Sequence, residues 1–112
     1  MAGIKVASVE IENICNLTEN VLETAAIAVS GNKGGPSQLV IYVVLENNVD
    51  AEEVDKAKEI LKSKMQKSIK EKLNPLFRIN DIVINESLPR TASNKVMRRV
   101  LRDEYVRRLQ HQ

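Results

Sequence analysis

The chain has one cysteine, Cys15, no tryptophan and only three aromatic residues, Tyr42, Phe77 and Tyr105. A lone cysteine excludes an internal disulfide and a cysteine-based zinc site. It also fits a reducing compartment, so a cytoplasmic location is expected, with an organelle lumen left open. The shortage of aromatics leaves little on which nucleic-acid bases could stack. No apolar run approaches the roughly 18 residues of a membrane-spanning helix. The start, Met1-Ala2-Gly3-Ile4-Lys5, lacks the apolar core of a secretory signal. Charge of one sign is scarce as well, with a net value of +2. Its placement is uneven, because seven basic residues between Arg90 and Arg108 face only Asp103 and Glu104. That cationic end suits a phosphate-rich ligand or a solvated helix face equally well.

What is present describes one ordinary domain. A length of 112 residues, with 43% apolar and 29% charged residues, suits a single compact unit with its own core. Ser8 is positioned to cap a short first helix carrying Val9, Ile11, Ile14 and Cys15. Thr18-Glu19-Asn20 is its exit. Val21 to Ser30 and the β-branched run from Gln38 to Glu46 predict a long hairpin around the loop Gly31–Pro36. The second run is apolar throughout, as a strand covered on both faces must be. Asp50 and Glu53 form a capping-box-like start to a long helix. In it Val54, Ala57, Leu61, Met65, Ile69 and Leu73 recur at spacings of three and four, and Asn74-Pro75 stops it. Arg78 to Glu86 predicts a third strand, and Lys95 to about Leu109 a final helix. The expected fold is α+β, a small three-stranded mixed sheet flanked by helices in the order α-β-β-α-β-α.

The chemistry concentrates in Leu88-Pro89-Arg90-Thr91-Ala92-Ser93-Asn94-Lys95 and the following Val96-Met97-Arg98-Arg99. A polar connector delivers Lys95 to the predicted start of the final helix. Lysine is disfavoured there, at the positive end of the macrodipole, unless it meets an anion that the helix amides also attract. A lysine that merely tolerates its position is the competing explanation.

This segment resembles the C-terminal signature of adenylate-forming enzymes: Leu-Pro, four residues, a glycine, the catalytic lysine, an apolar pair and Arg-Arg. Asn94 stands where that family usually has glycine; it tolerates positive φ and can cap a helix. Near the other end, Gly3-Ile4-Lys5-Val6-Ala7-Ser8-Val9-Glu10-Ile11-Glu12 is similar to the family segment that follows its interdomain hinge, where a glycine-containing strand turns into a helix. The resemblance implies that residues 1–112 are the small mobile C-terminal domain of a larger two-domain acyl-CoA synthetase, inactive and monomeric when isolated. Its partners would be its own N-terminal adenylation domain, ATP, CoA and a carboxylic acid. Mg²⁺ would be held by the N-terminal domain, since this sequence has no glycine-, serine- and threonine-rich phosphate loop. By the same resemblance, Lys95 is the adenylation lysine, and Gly3, Ile4 and Lys5 line the pantetheine tunnel of the CoA site. Lys70, with Lys67 and Lys72 near the end of the long helix, is either a further contact for CoA phosphates or part of a solvated helix face, and the second is the simpler explanation. The alternatives are a basic α/β nucleic-acid-binding module with no catalytic role and a free-standing regulatory domain.

Overall fold

A computed structural model of the chain describes residues 2–29, 38–47, 49–73, 77–93 and 95–110, with side chains described between residues 8 and 108. The elements are α1 (Ala2–Cys15), β1 (Val21–Val29), β2 (Gln38–Leu45), α2 (Val54–Lys72), β3 (Ile79–Ile84) and α3 (Arg98–Gln110). Their order is the expected α-β-β-α-β-α. The sheet runs β1-β2-β3 and is mixed: β1 is antiparallel to β2, and β2 is parallel to β3. A parallel pair needs a long crossover, and α2 supplies it.

The apolar run of β2 is central because both of its faces are covered. Leu39, Ile41, Val43 and Leu45 join Ile11 and Cys15 of α1 and Leu61, Met65 and Ile69 of α2 in one core. Val40, Tyr42 and Val44 join Leu88 and the α3 residues Leu101 and Tyr105 in a second core. The sheet thus separates α1 and α2 from α3.

Each outer strand carries one extra residue. The β1 register slips between Val21 and Glu23, and β3 passes from Ile79 to Asp81 while β2 advances by one residue. An extra residue inverts the alternation of faces. Val21 therefore enters the α1/α2 core, whereas Ala25, Ile27 and Val29 face α3. Likewise Ile79 and Ile82, three positions apart, share one core. Both slips leave an acid, Glu23 and Asp81, on the side of α3. Asp81 uses it, accepting a hydrogen bond from Tyr105 Oη at 2.8 Å.

Three sequence expectations are corrected. Ser8 lies inside α1 rather than at its cap. Gly3-Ile4-Lys5 is helical, not a strand, because α1 begins at Ala2. A strand needs a partner for its amides, and among the described residues no strand pairs with this segment, whereas a helix satisfies most of those groups internally. Asp50 makes no side-chain cap. Its carbonyl instead accepts from Glu53 N at 2.8 Å, closing a 3-10 turn over Ala51–Glu53 before α2 starts. The loop at 31–36 and the Asn74-Pro75 stop lie outside the described residues. The exit at Thr18-Glu19-Asn20 is as expected. Asn20 takes φ 68°, and its side chain accepts from Asn47 N at 2.9 Å, tying this turn to the end of β2.

Glu12 joins what the sheet separates. It is buried on α1, beside Ile11 and Cys15. Its Oε2 accepts from Ala26 N at 2.8 Å, an amide on the outer side of the edge strand β1. Arg98, the first residue of α3, closes on the same carboxylate through Nε (2.9 Å) and Nη2 (2.6 Å). These hydrogen bonds push the Arg98 pKa higher still, against the opposing effect of its burial. A two-pronged guanidinium matches a carboxylate better than a lysine could.

Two predictions follow from this packing. Glu12→Ala strands the Ala26 amide and leaves the Arg98 head without its anion. Removing one member of a buried pair costs about 3–5 kcal/mol; with Arg98 partly exposed, the lower end applies. Glu12→Gln keeps an acceptor for Ala26 and should cost clearly less. Urea unfolding of both variants measures the difference, and equal costs would show that the amide contact contributes nothing. The second prediction concerns alkaline pH. Burial, aided by the nearby Glu12 charge, pushes the Cys15 thiol from 9.0 to about 12. Burial likewise raises Tyr42 and Tyr105 from 10.0 to about 12. The unfolded chain releases these protons first, so the stability they confer is complete below about pH 9 and declines as pH rises towards 12. The thermal midpoint should therefore be level between pH 7 and 8.5 and fall steadily above 9. Iodoacetamide at pH 8 should modify Cys15 only when urea is present.

Candidate functional site

Lys95 stands on a short bridged loop between β3 and α3. Leu88 is buried in the α3-side core and Val96 packs against it, so both ends of the loop are rooted. Between them Arg90 and Val96 form an antiparallel bridge. Met97 N donates to Pro89 O at 2.8 Å and Thr91 N to Lys95 O at 2.9 Å. The Thr91 hydroxyl accepts from Lys95 N at 3.2 Å and lies 3.0 Å from the Ser93 hydroxyl. Thr91 thereby holds the Lys95 backbone at both its N–H and its carbonyl. The side chain of Lys95 is exposed.

This placement corrects the expected helix start. α3 begins at Arg98, three residues after Lys95. The Lys95 N–H and carbonyl are engaged by Thr91, and the residue belongs to the bridged loop rather than to the first helical turn. The macrodipole argument therefore does not apply to it. What the structure offers instead is a positive charge held out on a braced loop.

Two ion pairs flank that loop. Arg90, on the incoming arm, pairs with Glu23 of β1. Arg98, just beyond the outgoing arm, pairs with Glu12 of α1. Arg90, Arg98 and Glu12 stand in the segments that carry the resemblance, but sequence reasoning gave none of the four a role of its own. A signal for one of them was present: Ser8, Ile11, Glu12 and Cys15 form a helical stripe, all buried, and a glutamate in such a stripe requires a partner. Nothing local points from Glu12 to Arg98, 86 residues later.

The other expected site residues stand on other elements than the Lys95 loop. Gly3, Ile4 and Lys5 lie in the first turns of α1. Lys70 is exposed near the end of α2, on the opposite side of the sheet from the Lys95 loop. Grooves of about 230 and 450 Å³ lie on that side too; residues lining them include Thr18, Glu19 and Lys64. Among the described residues no group of three or more His, Cys, Asp or Glu side chains converges to hold a metal. No helix among the described residues is long and apolar enough to cross a membrane. The aromatics offer no stacking platform: Tyr42 and Tyr105 are buried, with hydroxyls bonded to Leu101 O and Asp81, and Phe77 packs against the α1/α2 core.

Comparison with known proteins identifies the family of the chain. The family model described as "AMP-binding enzyme C-terminal domain" matches residues 10–95, from the Glu10-Ile11-Glu12 segment to Lys95 itself. The chain is 50% identical over 105 residues to "Probable acyl-activating enzyme 17, peroxisomal" of Arabidopsis thaliana, a match covering 93% of this chain and 14% of that protein. It is 45% identical over 106 residues to "Hexanoyl-CoA synthase" of Cannabis sativa, covering 94% of this chain and 14% of the relative. It thus spans about one seventh of the length of these curated relatives. Among solved structures, a benzoate CoA ligase from Burkholderia xenovorans LB400 superposes with a TM-score of 0.67 at 32% identity, covering 85% of this chain and 18% of that one. An acyl-CoA synthetase from Brucella canis gives a TM-score of 0.73 at 20% identity, covering 91% and 18%, a likeness of fold. With the family model spanning most of its length and the fold shared, the chain belongs to the AMP-binding enzyme C-terminal domain family.

Proposed function

We propose that this chain is the small C-terminal domain of an ATP-dependent acid–CoA ligase and that Lys95 is its adenylation lysine. The observation that carries the reading is an exposed ammonium on a braced loop at the last position matched by the family model. In the proposed reaction a carboxylate attacks the α-phosphate of ATP, forming an acyl-adenylate and releasing pyrophosphate. The CoA thiol then displaces AMP to give the thioester. Carboxylate and phosphate are both anions in the first step. A compact positive charge between them offsets their repulsion and holds the attack geometry. The carboxylate is already ionised at neutral pH, so the lysine need not act as a base. Mg²⁺ and the acid pocket are assigned to the larger N-terminal domain.

In the second step the small domain turns as a rigid body, withdrawing Lys95 and presenting another surface. Gly3, Ile4 and Lys5 are proposed for the pantetheine path on their sequence resemblance, now as part of a helix, and Lys70 as a contact for CoA phosphates. A reducing compartment, the cytoplasm or an organelle lumen, suits a chain whose single thiol is buried and free.

The test measures the two half-reactions separately in the full-length ligase. Lys95→Ala should lower acyl-adenylate formation by on the order of 10²–10³, as loss of one preorganised charged donor does. Conversion of supplied acyl-adenylate and CoA to product should stay near normal. Intact adenylation, or equal damage to both halves, would withdraw the assignment. Gly3→Leu should act in the opposite sense, sparing pyrophosphate release while slowing thioester formation; an unchanged thioester rate would remove Gly3 from the pantetheine path.

A further inference from the structure

The Arg90–Glu23 pair lies partly exposed beside the Lys95 loop. Both side chains are about one-third exposed, and pairs of that kind contribute little to stability. Its location is the informative feature. Arg90 is the bridge partner of Val96, the residue next to Lys95, and its neighbour Thr91 holds the Lys95 backbone through two hydrogen bonds. Glu23 follows the extra residue of β1, which returns the strand to the α3-facing alternation. Bulges re-aim side chains, and here the acid is aimed at the arm of the lysine loop. Arg98–Glu12 fixes the other arm. The loop is thus gripped on both sides by arginines whose acceptors stand on α1 and β1.

We propose that Arg90 and Glu23 are a positioning pair for Lys95: through the Arg90–Val96 bridge and Thr91 they set where the lysine stands relative to the rest of the domain. This rests on the adenylation role proposed for Lys95. Glu12 and Arg98 share the task but also hold the fold, so the exposed pair gives the cleaner test.

The experiment uses the full-length ligase in six forms: wild type, Lys95→Ala, Glu23→Arg, Arg90→Glu, the double reversal Glu23→Arg/Arg90→Glu and the combination Glu23→Arg/Lys95→Ala. Acyl-adenylate formation and thioester formation from supplied acyl-adenylate are measured separately. A misplacement of about 1 Å can cost up to about 10²-fold in rate. Each single reversal sets like charges against each other and should lower kcat for adenylation by about tenfold, with the KM for ATP changed less than about twofold. The thioester half-reaction should be unchanged. The double reversal should recover most of the lost rate, and Glu23→Arg added to Lys95→Ala should cost nothing further, because the pair acts through the lysine. Unaltered adenylation in the single reversals would overturn the proposal, as would parallel loss of both half-reactions or no recovery in the double variant. The Lys95→Ala arm separates the two ideas. If it abolishes adenylation while the reversals do nothing, the pair fails and the lysine stands. If it leaves adenylation intact, the lysine reading falls and takes the pair with it.

Discussion

A carboxylate cannot stay charged in an apolar layer without a cation and donors close by. Glu12 meets that constraint with one amide from β1 and two nitrogens from Arg98. Its position on α1 therefore dictates where α3 must begin. The sheet alone would allow α3 to slide over its face, because apolar contacts are not directional. The bidentate pair is directional, and it fixes the first residue of α3 against the edge of β1. Two further polar contacts hold the helix along its length: Tyr42 Oη donates to Leu101 O at 3.2 Å and Tyr105 Oη to Asp81. Together they set both the rotation and the axial position of α3.

That fixed helix is what gives the preceding loop its geometry. Leu88 and Val96 anchor its ends in the α3-side core, and the Arg90–Val96 bridge narrows it. Lys95 is exposed, yet its backbone is bound on both sides by Thr91. An exposed charge on a bound backbone suits the role proposed for Lys95, entry into another domain's site in one orientation. The long stem supplies reach, and the braced loop limits the directions in which that reach is spent. If the domain works in two orientations, as proposed, such internal rigidity is required, since any slack between loop and sheet would blur both positions.

The parts of the fold that sequence made legible are those governed by local periodicity. The unbroken apolar run of β2 predicts its central place, and the three-and-four spacing from Val54 to Ile69 predicts α2 and its buried face. The hairpin, the third strand and the order of elements follow in the same way. The errors fall where tertiary partners overrule local signals. Asp50 has the right residue type for a cap, but its carbonyl closes a 3-10 turn instead. Gly3-Ile4-Lys5 was expected as a strand from resemblance, and among the described residues it has no ladder to join. Lys95 was expected at a helix start, but a bridge between residues six positions apart delays the helix to Arg98. The residues that brace the site, Glu12 with Arg98 and Glu23 with Arg90, are separated by 86 and 67 positions, beyond any local pattern. The strand slips at Leu22 and Asn80 are equally silent in sequence, because each depends on the partner strand's register.

Those two slips also govern how the sheet meets its surroundings. With the order β1-β2-β3, both outer strands carry an irregularity. At β1 the outward amide of Ala26 is taken by Glu12, and at β3 the carbonyl of Asn80, at the slip itself, accepts from Lys62 Nζ at 3.2 Å. An incoming strand would need a regular row of free donors and acceptors, and neither margin presents one at these points. The Glu12 bond at β1 and the slip at β3 thus interrupt the rows that strand addition by another chain would need. For a small sheet with a strongly β-forming centre, this is protection against aggregation built into the margins rather than into surface charge.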